Sequence, residues 1–180
     1  MPKLIASHPT FAPITAEATD SVAPTLGTAN LIANMVSISV AEQWQQLSPL
    51  AGGVSIFQNA TISLSTTGIP AYAAANVFGA ELDGNHLTDA VFAGKMGSLF
   101  FIEGEFDREG LRYVLNWIRR CIFAPPPESS VAKGGGDVTL TNPAFTGRAF
   151  KDASGRWRER WYFGTPQEAL AALRERSGLT

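Results

Sequence analysis

Cysteine and histidine are nearly absent from this chain of 180 residues, which contains one Cys and two His. A single cysteine, Cys121, excludes a framework of internal disulfide bonds. One thiol and two imidazoles are also too few soft ligands for a structural zinc site. We therefore expect no cofactor and no metal, and a chain of this length can bury a hydrophobic core without such cross-links.

Charged side chains are scarce as well, since they make up 17% of the residues against roughly 25% in typical soluble domains. The formal net charge of −2 excludes a surface that is basic throughout, so any contact with nucleic acid or an anionic membrane has to be local. Protein interfaces are depleted of Lys, Glu and Asp at their centres. So few charges therefore indicate a surface that is covered by partners.

Long apolar runs and a secretory signal are missing too. No apolar run approaches the roughly 18 residues of a membrane-spanning helix. The N-terminus has no basic region followed by an apolar stretch. We expect a protein that is cytoplasmic or held within an assembled particle, not secreted by a signal peptide, and without a membrane partner.

The charges that are present lie in zones along the chain. Through residue 80 the charged side chains are Lys3, Glu17, Asp20 and Glu42. The acidic zone, residues 81–109, supplies the candidate interface residues Glu81, Asp83, Asp89, Glu103 and Glu105. The basic zone, residues 147–180, supplies the candidates Arg148, Arg156, Arg158 and Arg160. Zones of opposite charge can complement each other within one chain or between copies.

The first 30 residues show neither a helical nor a strand period, and they contain Pro2, Pro9, Pro13 and Pro24. Proline removes a backbone donor and biases the preceding residue toward extended conformations, so we predict an extended N-terminal arm over residues 1–30. A disordered terminus is the alternative. Because the scattered apolar side chains of the arm have no evident local partner, we expect it to lie on a neighbouring subunit, with residues 31–180 forming one domain.

Two stretches of this domain have the character of strands. Leu31–Val40 is apolar and ends in β-branched residues, which favours a strand. In Val54–Leu64 apolar and polar residues alternate, so one face contacts water. This stretch is predicted to form one long strand, or a hairpin that turns near residues 58–59. Pro70 and three alanines favour a short helix, with a strand as the alternative for its second half. The Asp-Gly-Asn sequence at residues 83–85 marks a turn, and its surroundings indicate an antiparallel meander.

The clearest helical pattern covers Asp107–Phe123. Asp107 suits an N-cap, two arginines lie near the negative end of the helix dipole, and apolar residues recur on one face. Those residues are Leu111, Leu115, Ile118 and Ile122. The sequence thus predicts a central helix here. Three prolines and a glycine-rich piece after it predict a flexible connection over residues 124–137.

The C-terminal part predicts a β-hairpin and a helix. A turn at residues 152–155 separates AFTGRAF from RWRERWYF, which is the arrangement of a hairpin. Thr165 and Glu168 form a capping box around a proline, and Gly178 stops the helix. The predicted fold class is therefore α+β: an antiparallel sheet, made of the meander and the C-terminal hairpin, with one central and one C-terminal helix.

Two groups of side chains are candidates for chemistry. Glu103 and Glu105 alternate at the end of a predicted strand, so their carboxylates can hold a divalent cation or divide acid and base roles, with Asp83 and Asp89 joining from a neighbouring strand. The alternative, which the absence of a metal-loop spacing favours, is a solvated strand end without function.

The second group is the arginine row. Arg156, Arg158 and Arg160 share one face of the predicted hairpin strand, and the aromatic residues between them share the other. The row can track the phosphates of a nucleic acid, pair with the acidic zone of another copy, or face water over an aromatic core.

No motif in the chain identifies a reaction. The sparsely charged first half, the arm and the opposite charge zones indicate a non-enzymatic structural subunit of a homo-oligomeric assembly. A viral or phage particle protein, such as a coat, decoration or tail component, fits this composition. Its expected partners are copies of itself and other particle proteins, with nucleic acid secondary. The alternatives are a nucleic-acid or polyanion-binding module that uses the arginine row, and a small enzyme that uses Glu103 and Glu105.

Overall fold

A computed structural model describes residues 6–32, 35–47, 53–66, 68–89, 94–126 and 144–180 of the chain. In chain order the elements are β1 (Ser7–Ala16), β2 (Thr25–Leu26), β3 (Asn30–Leu31), β4 (Met35–Gln46), β5 (Ser55–Thr66), α1 (Ala71–Phe78), β6 (Glu81–Asp83), β7 (His86–Thr88), β8 (Gly97–Asp107), β9 (Gly110–Phe123), β10 (Ala144–Ala149), β11 (Arg158–Phe163) and α2 (Pro166–Ser177). The protein is mostly antiparallel β-sheet with a central and a C-terminal helix, which confirms the α+β class.

Nine of the described strands form one sheet, whose main path runs in the order β2, β1, β8, β9, β10, β5, β4. Strand β3 pairs with β1, and β11 pairs with β9 beside β10. The short strands β6 and β7 pair only with each other in the part of the chain that the structure describes. The sheet therefore has a thoroughly paired centre at β8 and β9, and it ends at β4 on one side.

Each face of the sheet carries its own hydrophobic core. One core joins α1 to side chains from β1, β5, β8, β9 and β10, including Phe11, Ile62, Phe101 and Phe123. The second core packs α2 against β8 and β9. Because β8 and β9 lie between the two cores, side chains on both of their faces are buried.

The C-terminal helix begins and ends as the sequence predicts. The Thr165 hydroxyl accepts a hydrogen bond from the Glu168 N–H, and the Glu168 carboxylate accepts one from the Thr165 N–H. Gly178 ends the helix with a φ of 74°, in the left-handed region that glycine adopts without steric cost, and its N–H donates to the Arg174 carbonyl. The capping box and the glycine stop are both confirmed.

The helix predicted over Asp107–Phe123 is wrong, because residues 110–123 form strand β9. Asp107 accepts a hydrogen bond from the Glu109 N–H in the tight turn between β8 and β9, so it shapes that turn and caps no helix. A strand that is buried on both faces has a nearly continuous apolar sequence without alternation, and such a run can mimic a helical face. The central helix is α1, where a short helix was one of two alternatives.

The predicted C-terminal hairpin is also wrong in its pairing. Strands β10 and β11 both pair antiparallel with β9, one after the other along the same edge, and so they run in the same direction. The Phe150 N–H donates to the Arg120 carbonyl, and the Arg119 N–H donates to the Trp157 carbonyl. Residues 151–156 lie between these two bonds and form a loop that leaves the sheet, which we call the 151–156 excursion. The turn predicted at residues 152–155 lies within this loop.

The described part of the predicted N-terminal arm, residues 6–30, contains the extended strand β1, and part of its apolar side chains are buried within its own chain, whereas Val22 is exposed. Strand β1 pairs with β8, and Phe11 is fully buried with its ring edge on Phe123. A Cβ at Gly97 would collide with the Phe11 ring, so the two strands meet at a glycine. Pro9 and Pro13 have no N–H to donate, but their carbonyls accept hydrogen bonds from the Ile32 and Gly27 N–H groups. The expectation that this segment packs only on a neighbouring subunit is therefore wrong.

Other sequence predictions agree with the structure. Strand β5 covers the alternating stretch as a single strand, without the alternative turn near residues 58–59. The turn at 83–85 joins β6 to β7. The apolar stretch from Leu31 contributes to β3 and β4, and β4 extends to Gln46. Most of the connection predicted over 124–137 lies outside the described residues.

Candidate functional site

Strand β4 forms one of the two outer edges of the described sheet. Within the described residues β4 pairs with β5 and with no other strand, so its second edge leaves a row of backbone donors and acceptors unpaired along 12 residues. Natural proteins usually protect such an edge with lysine, proline, a bulge or a very short strand. Strand β4 has no lysine and no proline, Glu42 is its only charged residue, and its one extra residue lies at the beginning of the strand, between Met35 and Ser37. The edge is therefore well suited to pair with another strand.

The β4–β5 hairpin also exposes apolar side chains at its closed end. Trp44 is 52% exposed and Val54 is 53% exposed, and Leu47 and Ile56 beside them are exposed as well. The Leu47 N–H donates to the Val54 carbonyl, which continues the hairpin beyond the two strands. We call these four residues the apolar tip. Their contact with water is unfavourable, and a partner that covered them would remove apolar surface from water.

The outward face of the β4–β5 hairpin is polar but uncharged. Opposite residues on the two strands alternate between the core face and this outward face, as the register requires. The side chains on the outward face are those of Ser37, Ser39, Ala41, Gln43 and Gln45 on β4 and Ile56, Asn59, Thr61, Ser63 and Ser65 on β5. Apart from Ala41 and Ile56 of the apolar tip, these side chains are polar, and none is charged. A surface of this composition lacks the Lys, Glu and Asp side chains that are depleted at interface centres.

The hairpin is attached to strand β11 through a polar and an aromatic contact. Arg158 Nη2 donates to Glu42 Oε1 at 2.6 Å, and the Trp44 indole N–H donates to the other oxygen of Glu42 at 3.0 Å. Phe57 stacks on Trp157 with ring centroids 4.4 Å apart. These contacts neutralise the one charge of β4 and fix the hairpin relative to the rest of the sheet.

Arg158 and Arg160 share one face of strand β11, as the sequence predicts, but Arg156 lies outside the strand. Arg158 and Arg160 alternate with Glu159 and Trp161, and Trp161 packs with α2 on the second core. Arg156 precedes the strand and lines a polar groove of about 400 Å³ together with Trp161. The aromatic residues are divided as well, because Trp157 packs against the first core. The three arginines therefore do not form one continuous row.

The electrostatic environment of Arg158 combines opposing effects. Burial lowers its pKa below the ordinary value, and the positive charge of Arg160 lowers it further, whereas Glu42 and Glu103 raise it. Glu103 is buried and accepts a hydrogen bond from the Asn116 side chain at 3.1 Å. The structure thus brings one residue of the acidic zone close to one residue of the basic zone within a single chain.

The remaining acidic candidates lie elsewhere. Glu81, Asp83 and Asp89 are exposed on or beside the separate β6–β7 ribbon, and Glu105 is half-buried near the end of β8. Among the described residues no three His, Cys, Asp or Glu side chains are grouped as a metal site would require. Arg148, on β10, is exposed on the same side as Thr61 of β5.

Arg119 forms a buried ionic cluster that the sequence did not reveal. Its guanidinium donates to Asp152 at 2.5 Å and to Glu159, and Arg119 and Asp152 side chains are 3% and 2% exposed. Burial alone would raise the pKa of Asp152, but hydrogen bonds from Ser154 and Arg119 and the charge of Arg119 hold it below its ordinary value. The sequence contains one signal for this cluster, which is that Arg119 lies within an apolar run. The predicted helix placed this arginine near a helix end, so it was not recognised as buried.

The cluster holds the 151–156 excursion against β9. Asp152 accepts hydrogen bonds from the Ser154 N–H and the Arg156 N–H, which shape the turn, while its second oxygen receives Arg119. The groove next to this cluster contains both arginines and acids, so its lining is not of one charge. Its described contacts indicate a structural role for the cluster.

Neither the thiol nor the helices indicate another site. Cys121 is fully buried, and burial raises the pKa of its thiol far above the ordinary value, which keeps it from acting as a nucleophile. No described helix has the length and apolar character needed to cross a membrane.

No protein-family model matches the chain, and no curated protein sequence matches it significantly.

Proposed function

We propose that this protein is a non-enzymatic structural subunit that assembles with copies of itself, as the component of a larger particle. The observation that supports this most strongly is the 12-residue edge of β4, which no strand of the described residues pairs with on its outer side. An unpaired edge of this length is a template for another strand, and an edge whose one charged residue, Glu42, is already paired with Arg158 is suited to strand pairing. Strand addition supplies main-chain hydrogen bonds without a prior binding pocket.

The surroundings of the edge support the same function. The apolar tip lies at one end of β4, and the outward face beside it carries no charged side chain. Covering such a surface requires little desolvation of charge, which is the costly part of forming an interface. Viral or phage coat, decoration and tail proteins are the class that we propose, because their subunits are covered by neighbours over much of their surface.

A polyanion-binding role has less support. Arg156 lies apart from Arg158 and Arg160, and Arg158 is paired with Glu42. An enzymatic role for Glu103 has less support too, since that carboxylate is buried and hydrogen bonded to Asn116.

Sedimentation equilibrium of the purified full-length chain tests the proposed function. We expect a mass above the 19.2 kDa of one chain, which falls on dilution. The double variant Ser39→Lys/Gln43→Lys places two charges beside the β4 edge and should shift the chain to the monomer. The matched control Thr61→Lys/Ser63→Lys places the same charges on β5, one strand away from the edge, and should retain most of the assembly. A wild-type chain that stays monomeric at every concentration would contradict the proposal.

A further inference from the structure

We propose that β4 pairs antiparallel with β4 of a second copy, about a two-fold axis that passes through Ala41. This inference rests on the proposed function and names the partner strand and its register. It concerns the backbone edge of β4, whose pairing with β5 leaves the other side open in the described chain.

The choice of partner follows from the lengths of the edges. At the opposite end of the sheet, β2 and β3 have two residues each, whereas β4 has 12. If β4 of one copy paired with β2 of the next, most of the β4 backbone groups would stay unpaired. A second β4 is an edge of equal length, and pairing an edge with itself gives the closed, two-fold contact that is most common in homo-oligomers.

The two-fold axis restricts the register. An axis that relates two antiparallel edge strands stands perpendicular to the sheet, so opposite residues point to the same face. Side chains alternate between the two sides of the sheet along a strand. The axis therefore has to pass beside a residue that lies directly opposite the same residue of the second copy. Strand β4 has no bulge from Ser37 to Gln46, because the extra residue near Trp44 lies on β5. The middle of this regular stretch lies between Ala41 and Glu42. An axis at one of these two residues therefore lets the two copies pair over the greatest length.

The chemistry of the opposed pairs favours Ala41. An axis at Glu42 would set two carboxylates directly opposite each other, which is unfavourable. With the axis at Ala41, Gln43 lies opposite the partner's Ser39 and Gln45 opposite the partner's Ser37, so that amide and hydroxyl groups can hydrogen bond. On the core face Trp44 lies opposite the partner's Ile38, which covers part of the apolar tip.

Charge is compatible with this pairing as well. In this register Glu42 lies opposite the partner's Val40, and its carboxylate already accepts hydrogen bonds from Arg158 and from the Trp44 indole N–H. The contact therefore buries no unpaired charge.

Disulfide cross-linking of the full-length chain tests the register. Opposite residues in an antiparallel pair have Cα atoms roughly 4.5–5.5 Å apart, which a disulfide can bridge. We expect Ala41→Cys, treated with a mild oxidant, to shift on a non-reducing gel from 19.2 kDa to twice that mass. Wild-type chain should not shift, because Cys121 is fully buried.

Gln45→Cys is the matched control, since residue 45 is also exposed on β4 but lies opposite the partner's Ser37 in the proposed register. It should stay uncross-linked alone and form a covalent dimer when mixed with Ser37→Cys. Equal cross-linking of the Ala41 and Gln45 variants, or none at Ala41 in a chain that sedimentation shows to be assembled, would overturn this register while leaving self-assembly intact. A monomeric Ala41→Cys chain under reducing conditions, with a monomeric wild type, would instead contradict the proposed function.

Discussion

The two long strand pairs of this protein, β8–β9 and β4–β5, have strands of similar length but opposite surroundings. The β8–β9 hairpin is covered on both faces by α1 and α2 and on both edges by β1 and by β10 with β11. The β4–β5 hairpin has one covered face and one paired edge, and β4 is largely exposed. The comparison indicates that the first hairpin stabilises the fold, whereas the second carries the exposed surface on which the proposed assembly rests.

The largest loss of stability should come from the ionic cluster on β9. Arg119→Met leaves the Asp152 carboxylate buried without its cation, and breaking such a buried pair costs about 3–5 kcal/mol. Urea denaturation measures this change. Arg174→Met, on the exposed side of α2, is the matched control and should change stability by less than about 0.5 kcal/mol. An equal effect of the two variants would remove the distinction between the buried hairpin and the surface.

A comparable loss is expected from the strand that borders β8. Phe11→Ala removes a fully buried ring from the first core, and changes of this kind cost about 3–5 kcal/mol. Val22→Ala, at a position 61% exposed in the same N-terminal segment, should cost less than about 0.5 kcal/mol. If Phe11→Ala were as mild as its control in urea denaturation, β1 would not be part of the buried region.

The pH dependence of the free energy of unfolding tests the contribution of Asp152 in the Arg119 cluster. Because the folded state holds the pKa of Asp152 below its ordinary value of 3.8, this carboxylate stabilises the fold above that value. Its contribution should be lost as the pH falls below 3.8 through the folded pKa. Asp152→Asn lacks this contribution, so the difference in urea midpoint between wild type and variant should shrink in that range. A difference that stayed constant from pH 7 to pH 2.5 would contradict the assignment.

The smallest effect should come from the ion pair that attaches the β4–β5 hairpin. Glu42→Gln removes the charge opposite Arg158, whose partly exposed pair with Glu42 contributes no more than about 1 kcal/mol. Glu175→Gln, exposed on α2, is the control and should change nothing measurable in urea denaturation. A loss for Glu42→Gln that reached the Arg119→Met value would mean that the two hairpins are equally important for stability.

The same contrast explains which parts of the fold can be predicted from the sequence. Strand β5 was predicted because one of its faces is wet, so apolar and polar residues alternate. Strand β9 was mistaken for a helix because burial on both faces removes that alternation. The cap of α2 was predicted because Thr165 and Glu168 are local partners. Local chemistry and one-sided burial are visible in a sequence, whereas burial on two sides is not.

The candidate site could be predicted only in part. The low charge of the first half indicated a covered surface, but the position of β4 at the end of the sheet depends on strand order, which no local pattern gives. Glu42 and Arg158 are 116 residues apart in sequence, so their pairing was not evident either. The cluster of Arg119 with Asp152 and Glu159 was missed because it requires both the true strand β9 and the excursion between β10 and β11.

Amide hydrogen exchange of the wild-type chain at low and high protein concentration tests the central claim most directly. In dilute solution the outward amides of β4 should exchange rapidly, because they have no partner strand, while the amides of β9 should be protected. At high concentration the β4 amides should become protected, because a second copy then pairs with them, and the protection of β9 should stay the same. Exchange at β4 that remained rapid in the assembled protein would contradict the claim that copies meet at this edge.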